Sequence, residues 1–308
     1  MFSICIPIYN FNVTQLVLTL RRQLTESGQP FEIILMDDAS DEAFRKINRE
    51  LTSGQVRYIQ LQKNIGRSRI RNKLTSETHY PYLIFMDCDS IIDSDNYISN
   101  YLTVCTPMVV CYGGRKYKDE KPENSFLLRW QYGIQRESFP ASIRKKNPNY
   151  SFCTNNFLID KNLFKQVQFN EKLEGYGHED TYFGLELSAQ SVTVEHIDNP
   201  LVHIGLESAE EFLKKSENAI DNLIKVDLLL QELHPEYLNH SRLIRMGTCI
   251  RTWKLERAMS FVFRIFKKPM KIQLLSNRPS LMVFDIYRLG MLCCLQSKKG
   301  NIKNRIQS

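Results

Sequence analysis

Asp87-Cys88-Asp89 closes the apolar run Tyr82-Leu83-Ile84-Phe85-Met86. Two carboxylates one residue apart at a strand end can share one hard divalent cation with the phosphate oxygens of a nucleotide. Mg²⁺ and Mn²⁺ favour oxygen ligands and are commonly held by one or two carboxylates plus substrate phosphates. Alone, the pair reads more readily as a solvated turn with an Asx cap. A second acid pair, Glu179-Asp180, follows the glycine-bearing stretch Leu173-Glu174-Gly175-Tyr176-Gly177-His178 and precedes a helix expected from Thr181 to Ala189. Acids at a helix start complement its dipole. That accounts for one carboxylate, but not for a flexible loop that delivers two acids and a histidine together, and a carboxylate there could act as general base. His203 ends the short apolar run Leu201-Val202. A lone histidine in such a place is more often structural, yet it suits a third metal ligand beside Asp-X-Asp. Arg67, Arg69 and Arg71 follow Asn64-Ile65-Gly66 and could supply charge to a pyrophosphate; for Arg69 a solvated helix face is the better reading.

The elements that must position these groups repeat one pattern. Short apolar runs over residues 2–8, 31–36, 56–61 and 82–86 each end in polar residues: Tyr9-Asn10, Asp37-Asp38-Ala39-Ser40, Asn64-Ile65-Gly66 and Asp87. Between the first two, Val13, Leu16, Val17, Leu20 and Leu24 share one helical face, with Asn12 as N-cap. Strand alternating with helix implies a parallel sheet with helices on both faces, and such sheets bind ligands beyond the carboxyl ends of their strands. Ser151 to Ile159 reads as a further strand. No G-x-G-x-x-G follows the first strand and no G-x-x-x-x-G-K-[ST] occurs, so metal and basic side chains, not a glycine-rich cradle, would hold a pyrophosphate.

Composition fits a globular enzyme: 308 residues, 43% hydrophobic and 24% charged. The first strand begins at residue 2 with no basic stretch before it, so it reads as structure rather than a signal peptide, and a cytoplasmic setting is expected. Eight cysteines without a C-x-x-C pair read as reduced core thiols, not a zinc site. No run approaches the ~20 apolar residues of a membrane span. The nearest, Leu281 to Leu295, is interrupted by Asp285 and Arg288.

Taken in order, Ser-Ile-Cys-Ile-Pro-Ile-Tyr-Asn, Leu-Met-Asp-Asp-Ala-Ser, Asn-Ile-Gly-Arg-Ser-Arg-Ile-Arg-Asn, Asp-Cys-Asp and Gly-His-Glu-Asp resemble the family 2 glycosyltransferases of GT-A fold. The resemblance covers about residues 2–206. It implies inverting transfer of a sugar from a nucleotide diphosphate donor, UDP-linked, with Mn²⁺ or Mg²⁺, to a glycan or lipid-linked acceptor in surface polysaccharide synthesis. By the same resemblance Pro7, Tyr9 and Asn10 line the nucleoside pocket, and Asp38 holds the uracil edge. Asn64 falls among the donor-binding residues, and Arg71 sits near the base or phosphate. Asp87 faces the ribose or the metal's waters, Asp89 binds the metal, and His203 is the metal histidine of some relatives. Asp180 is the base, and Glu179 orients sugar hydroxyls. The acceptor pocket would draw on residues 113–156, Asn155 and Asn156 among them, and on His178, where many relatives carry Gly or Trp. The expected layout is an α/β catalytic domain over 1–206, with a nucleotide-sugar half over 1–112 and an acceptor half over 113–206, and a helical C-terminal region over 207–308.

Two readings from other classes compete. A nucleotide-sugar-binding partner subunit without turnover would not need Asp180 and Asp89 intact. A nucleotidyltransferase also holds metal on aspartates of a parallel sheet, but usually has a glycine-rich, lysine-containing loop near the first strand, which this chain lacks. Arg129-Trp130 matches the end of the polysaccharide-synthase pattern Q-x-x-R-W, but Phe126 stands where Gln is needed and the pair precedes Glu179-Asp180, so the likeness reads as accidental, in an acceptor-side insertion over 113–150. From residue 261 onward ten basic residues, Lys298, Lys299, Lys303 and Arg305 included, face Asp285 alone, an excess of nine charges in a chain of net +7. Residues 1–260 therefore sum to −2. Bulky apolar residues beside these cations suit a helix at an anionic membrane interface, equally with plain packing and solvated lysines. Nucleic acid is not expected, because no binding motif accompanies the charge.

Overall fold

The computed structural model describes residues 1–233 and 241–306, with side chains through 231 and from 241 to 297. Seven strands build the main sheet: β1 (Phe2–Ile8), β2 (Phe31–Asp37), β3 (Val56–Gln60), β4 (Tyr82–Met86), β6 (Val110–Tyr112), β8 (Asn156–Asp160) and β9 (Glu195–His196), in the order β3-β2-β1-β4-β8-β6-β9. β1 pairs parallel with both β2 and β4, and β2 parallel with β3. β8 runs antiparallel to β4 and β6. A small second sheet holds β5 (Ser90–Ile91), β7 (Arg115–Lys116) and β10 (Leu201–His203), with β10 in the middle. The α/β, mainly parallel architecture with a C-terminal helical region is the expected one.

Apolar residues alternate between the two faces of the central strands. Ile4 and Ile6 of β1, with Ile33 and Leu35 of β2, pack on one side with Leu16, Leu20 and Leu24 of α1 (Thr14–Glu26). Cys5, Ile34 and Met36 turn to the other side, against Ile70 and Leu74 of α3 (Arg67–Ser76). Burial on both faces explains why these strands read as near-continuous apolar runs. Pro7 lies two residues past Cys5, the last β1 residue paired with β4, where its missing N–H spares that ladder. Asn12 accepts from the Thr14 N–H at 2.9 Å, one residue ahead of where a strict N-cap would sit. The remaining helices of this part are α2 (Glu42–Arg49), α4 (Tyr97–Leu102), α6 (Ala141–Arg144), α7 (Lys161–Gln166) and α8 (Glu179–Ala189).

Two expectations are corrected. Ser151 to Asn155 is not strand; β8 begins at Asn156. Asn156 is not available to an acceptor. It is wholly buried, its Oδ1 accepts from the Tyr97 and Tyr101 hydroxyls at 2.6 and 2.8 Å, and its Nδ2 donates to the carbonyls of Gly114 and Asn199. The full hydrogen-bonding capacity of that amide is spent inside the fold.

The chain divides less simply than a break near residue 206. One unit comprises 1–119, 136–174 and 179–205; the other comprises 120–135, 175–178 and 206–308. In the second unit, α5 (Leu127–Arg136) contributes Leu128 to a core with Phe212 of α9 (Ala209–Leu233), Phe263 of α11 (Glu256–Leu274) and Phe284 of α12 (Leu281–Ile306). Arg129 belongs to the interior of this unit. It is buried, its Nε donates to Glu207 at 3.0 Å, and its guanidinium lies over the Phe212 ring. α10 (Arg242–Thr252) completes the unit. Among the described residues no helix is long and apolar enough to cross a membrane.

Replacing Asn156 by Ala strands the Tyr97 hydroxyl and the carbonyls of Gly114 and Asn199, and leaves the Tyr101 hydroxyl only the backbone carbonyl of residue 156. A loss of about 3 kcal/mol is expected. The urea midpoint should fall with an unchanged m-value; a midpoint within error of the parent would contradict the structural role.

Candidate active site

The carboxyl ends of β1 to β4 lie along one edge of the sheet, and their polar residues tie neighbouring loops together. Asn10, with φ of 50°, donates its N–H to Ser40 Oγ and accepts from the Asp41 N–H, so it joins the loops after β1 and β2. Asp37 accepts from the Ser40 N–H and the Tyr58 hydroxyl. Asp38 accepts from the N–H groups of Ile65 and Gly66 at 2.7 and 3.1 Å, which fixes the loop before α3. Burial raises the Asp38 carboxyl above its ordinary value even against those two bonds. Tyr9 and Asn64 are exposed along this edge, and Pro7 is half-buried.

Asp87 sits just past β4, its N–H bonded to the Asn155 carbonyl. Two guanidiniums hold its carboxylate: Arg71 Nη2 at 3.0 Å from Oδ1 and Arg115 Nη2 at 3.3 Å from Oδ2. Arg71 comes from α3 with a side chain only 3% exposed. Its other terminal nitrogen donates to the Arg67 carbonyl and stands 3.9 Å from Glu179 Oε1. Arg67 Nη1 reaches the same Glu179 oxygen at 3.3 Å. A chain of ion pairs thus runs from the Asp-X-Asp turn to the first turn of α8. Arg115 extends it outward to Glu137 at 3.2 Å, and Glu137 also takes the Tyr117 hydroxyl. Arg69, by contrast, is exposed and paired with Glu174 and Glu171, as its solvated reading implies.

Asp89 lies in the turn between β4 and β5. β5 pairs antiparallel with β10, Ser90 opposite His203, and this register brings His203 Nδ1 to 3.4 Å from Asp89 Oδ1. Gly205 packs so closely on Asp89 that a Cβ there would come within 2.6 Å of its Cβ and Oδ2. Burial opposes the Asp89 charge, but His203 first, then Arg115 and Arg67, outweigh it and hold the carboxyl down at about 2. Asp89 Oδ1 and both ring nitrogens of His203 are buried and lack a hydrogen-bond partner among the described residues. Orphaned oxygen and imidazole donors at one spot fit a divalent cation. Among the described residues no three His, Cys, Asp or Glu side chains gather closely enough to hold an ion unaided. Substrate oxygens would have to complete such a site.

Glu179 is buried in the first turn of α8. Its desolvation is more than offset by Arg67 and Arg71, so its carboxyl lies below the ordinary value. Asp180 has the reverse balance. Burial first and the adjacent Glu179 charge second push it up to about 6. Two neighbouring acids with divergent protonation are the pattern of a base beside a fixed anion. His178, with φ of 69°, belongs to the segment 175–178 of the helical unit, where Asn222 Nδ2 donates to the Tyr176 and Gly177 carbonyls. Asn155 is buried, and its Oδ1 accepts from the Tyr112 hydroxyl.

A family model described as glycosyl transferase family 2 matches residues 3–167, a little over half of the chain. The chain belongs to glycosyl transferase family 2. Among curated proteins, this family 2 member is 24% identical over 266 residues to the chondroitin synthase of Escherichia coli, covering 75% of the chain and 38% of that protein. It is 23% identical over 184 residues to a teichoic acid poly(glycerol phosphate) polymerase of Staphylococcus epidermidis, covering 56% of the chain and 24% of that protein. The chain spans well under half the length of either relative. Among solved structures it resembles a mannosyltransferase from Pyrobaculum calidifontis in complex with GDP-Man and Mn²⁺, at a TM-score of 0.54, 13% identity and 73% and 63% coverage of the two chains. It also resembles residues 1–349 of TarS from S. aureus, at 0.50, 16% identity, and 97% and 91% coverage. These likenesses are to the GT-A fold.

Sequence reading missed Arg115, Tyr117, Glu137 and Gly205 in this family 2 site. Gly113-Gly114-Arg115-Lys116 after an apolar run was the available signal for Arg115. Nothing local marks Glu137 or Gly205.

Asp180 has an ordinary value of 3.8 and is raised to about 6 by the fold. The fold thus disfavours its charged form, and the stability this contributes is full below about pH 4 and lost as pH rises through about 6. Asp180→Asn should therefore melt higher than the parent at pH 8, and the gap should shrink at pH 4. A gap independent of pH would contradict the raised carboxyl.

Proposed function

We propose that the chain is a metal-dependent, inverting glycosyltransferase. It moves a hexosyl or N-acetylhexosaminyl group from a UDP-linked donor to the hydroxyl of a glycan or lipid-linked acceptor. The observation that carries this reading is the ion-pair chain Asp87–Arg71–Glu179, which couples the Asp89–His203 pair to an aspartate with a raised carboxyl.

The roles follow from the placement of each group. Asp89 and His203 would hold Mn²⁺ or Mg²⁺ together with the donor diphosphate, and Asp87 would face the ribose or the metal's waters while locked by its two arginines. A bound cation would offset the negative charge that builds on the leaving diphosphate. Asp180 would take the proton of the acceptor hydroxyl as the new bond forms. A value near 6 suits that work: the group is ionised at neutral pH yet basic enough to accept a proton. Glu179 stays charged under Arg67 and Arg71, sustains the high proton affinity of Asp180 and would orient a sugar hydroxyl with its second oxygen. Pro7, Tyr9, Asn10, Asp38 and Asn64 would frame the nucleoside from the adjoining loops, with Asn155 on the acceptor side. The UDP assignment rests on the resemblance at Asp38; the mannosyltransferase neighbour holds GDP-Man and Mn²⁺. The curated relatives, by name a chondroitin synthase and a teichoic acid polymerase, support polymer synthesis as the setting.

Asp180→Asn should lower turnover about 10²–10⁴-fold while leaving donor binding in place. In the parent, kcat/KM should rise with pH through about 6, since the base must be ionised. Product analysis tests the class: free nucleoside diphosphate with a glycosylated acceptor supports transfer, whereas released pyrophosphate indicates nucleotidyl chemistry. Near-normal turnover in the variant would remove Asp180 from its role.

Calorimetric titration with UDP and GDP, each with Mn²⁺ and with chelator, tests the metal and the base. Affinity should be metal-dependent and higher for UDP. Asp89→Ala should abolish the metal effect, and His203→Ala should weaken it. Gly205→Ala, whose Cβ would press on the Cβ and Oδ2 of Asp89, should weaken it about tenfold, the equivalent of about 1.4 kcal/mol. Equal affinity with excess chelator would sink the metal reading.

A further inference from the structure

The helical unit buries one face of α11 and leaves the opposite face apolar. Phe263, half-buried Lys267 and Met270, and Leu274 form the stripe turned to the unit's core. Directly opposite, at helical spacing, stand Phe261, Ile265 and Ile272, which are 66%, 56% and 64% exposed. Phe266 and Val262 widen this stripe, and Trp253, 72% exposed, lies just ahead of the helix. Scattered exposed apolar residues need no explanation, but a bulky stripe along one helix marks an interaction surface.

The charges around the stripe say what covers it. From Arg257 to Phe284 there is no acidic residue, while Arg257, Arg264, Lys268 and Lys271 fall on or beside the outward face. Lys267 and Lys271 already face Glu217 and Glu210. No ion pair is present at Arg257, Arg264 or Lys268 among the described residues. A second copy of the chain would bring the same cations against themselves with no acid between them, a repulsion that worsens as water leaves. An anionic lipid surface supplies the missing countercharge and a place for the phenylalanine and isoleucine side chains. Lysine and arginine stems can lie along apolar surface while their charged ends reach the headgroups. We propose that α11 lies in the plane of an anionic membrane, with Phe261, Ile265 and Ile272 inserted at the level of the headgroups and Arg264 and Lys268 on lipid phosphates. Such helices bind by the sum of apolar insertion and electrostatic attraction. This assignment is independent of the transfer reaction. The side chains of Lys298, Lys299, Lys303 and Arg305, expected in the same role, lie outside the described residues.

The test is co-sedimentation of the full-length chain with phosphatidylcholine vesicles, with and without phosphatidylglycerol, across a salt series. Binding is expected only to the anionic vesicles and should weaken as salt rises. Ile265→Glu/Ile272→Glu should reduce it about tenfold or more. Arg264→Glu/Lys268→Glu should reduce it similarly and flatten the salt dependence. All four residues are outside the core, so melting temperature should be unchanged in both variants; the second pair keeps the test valid if the first misfolds. Absence of binding to anionic vesicles at low salt overturns the proposal, as does equal binding to neutral vesicles or binding that both variants retain. Self-association lost in Ile265→Glu/Ile272→Glu, without vesicle binding by the parent, would instead make this face a contact between copies.

Discussion

The site depends on one buried cation. Arg71 is almost wholly removed from water, and a charge so placed is tolerable only when opposite charges answer it. Asp87 does so from the end of β4 and Glu179 from the start of α8, two segments 92 positions apart in the sequence. Each carboxylate is in turn held by a second arginine, Arg115 for Asp87 and Arg67 for Glu179. Taking away any one member would leave its partners as uncompensated charges in a low-dielectric setting. The Phe169 ring below the Arg71 guanidinium adds a face of partial negative charge without a further ion. Because Glu179 is kept ionised by these arginines, its neighbour Asp180 feels a permanent negative charge. That charge adds to the larger effect of Asp180's own burial in raising its proton affinity.

Much of the scaffold was legible because burial on both faces of a parallel sheet forces apolar runs, and those runs must end where polar loops begin. The bounds of β1 and β4 were readable for that reason. The same logic put Asp38, Asp87 and Asp89 at one edge and Glu179 at a helix start. What the sequence hid were partners set by distance in space. Glu137 serves Arg115 across 22 positions, Glu207 serves Arg129 across 78, and neither pair leaves a local pattern. Through that bond Arg129 ties α5 to the segment before α9.

Asn155 and Asn156 show the limit most plainly. Adjacent and chemically identical, they could not be told apart by type. Yet Asn156 makes four hydrogen bonds that join β8 to α4, the turn after β6 and the segment before β10. Its neighbour bonds to Tyr112 through its side chain and to Asp87 through its backbone. The apolar Phe152 made Ser151 to Asn155 look like the start of a strand, but the buried side chain serves an aromatic cluster with Phe157 and Phe183 rather than a ladder. Hydrophobic patterning reports that a residue is inside, not which element carries it there.

The small sheet has one more bearing on the site. β10 is three residues long and is paired on both sides: His203 stands opposite Ser90, next to Asp89, and Leu201 stands opposite Arg115, which grips Asp87. One short strand therefore indexes both carboxylates of the Asp-X-Asp turn. Side chains alternate every residue along a strand, so a slip of one position would turn His203 to the opposite face and offset Arg115 at the same stroke. The loop entering β10 through Asn199 and Pro200 consequently behaves like a reading frame. A substitution there alters local contacts, such as those of Asn199 with Asn100 and Tyr97, but a single inserted or deleted residue would disturb both carboxylates of the Asp-X-Asp turn together.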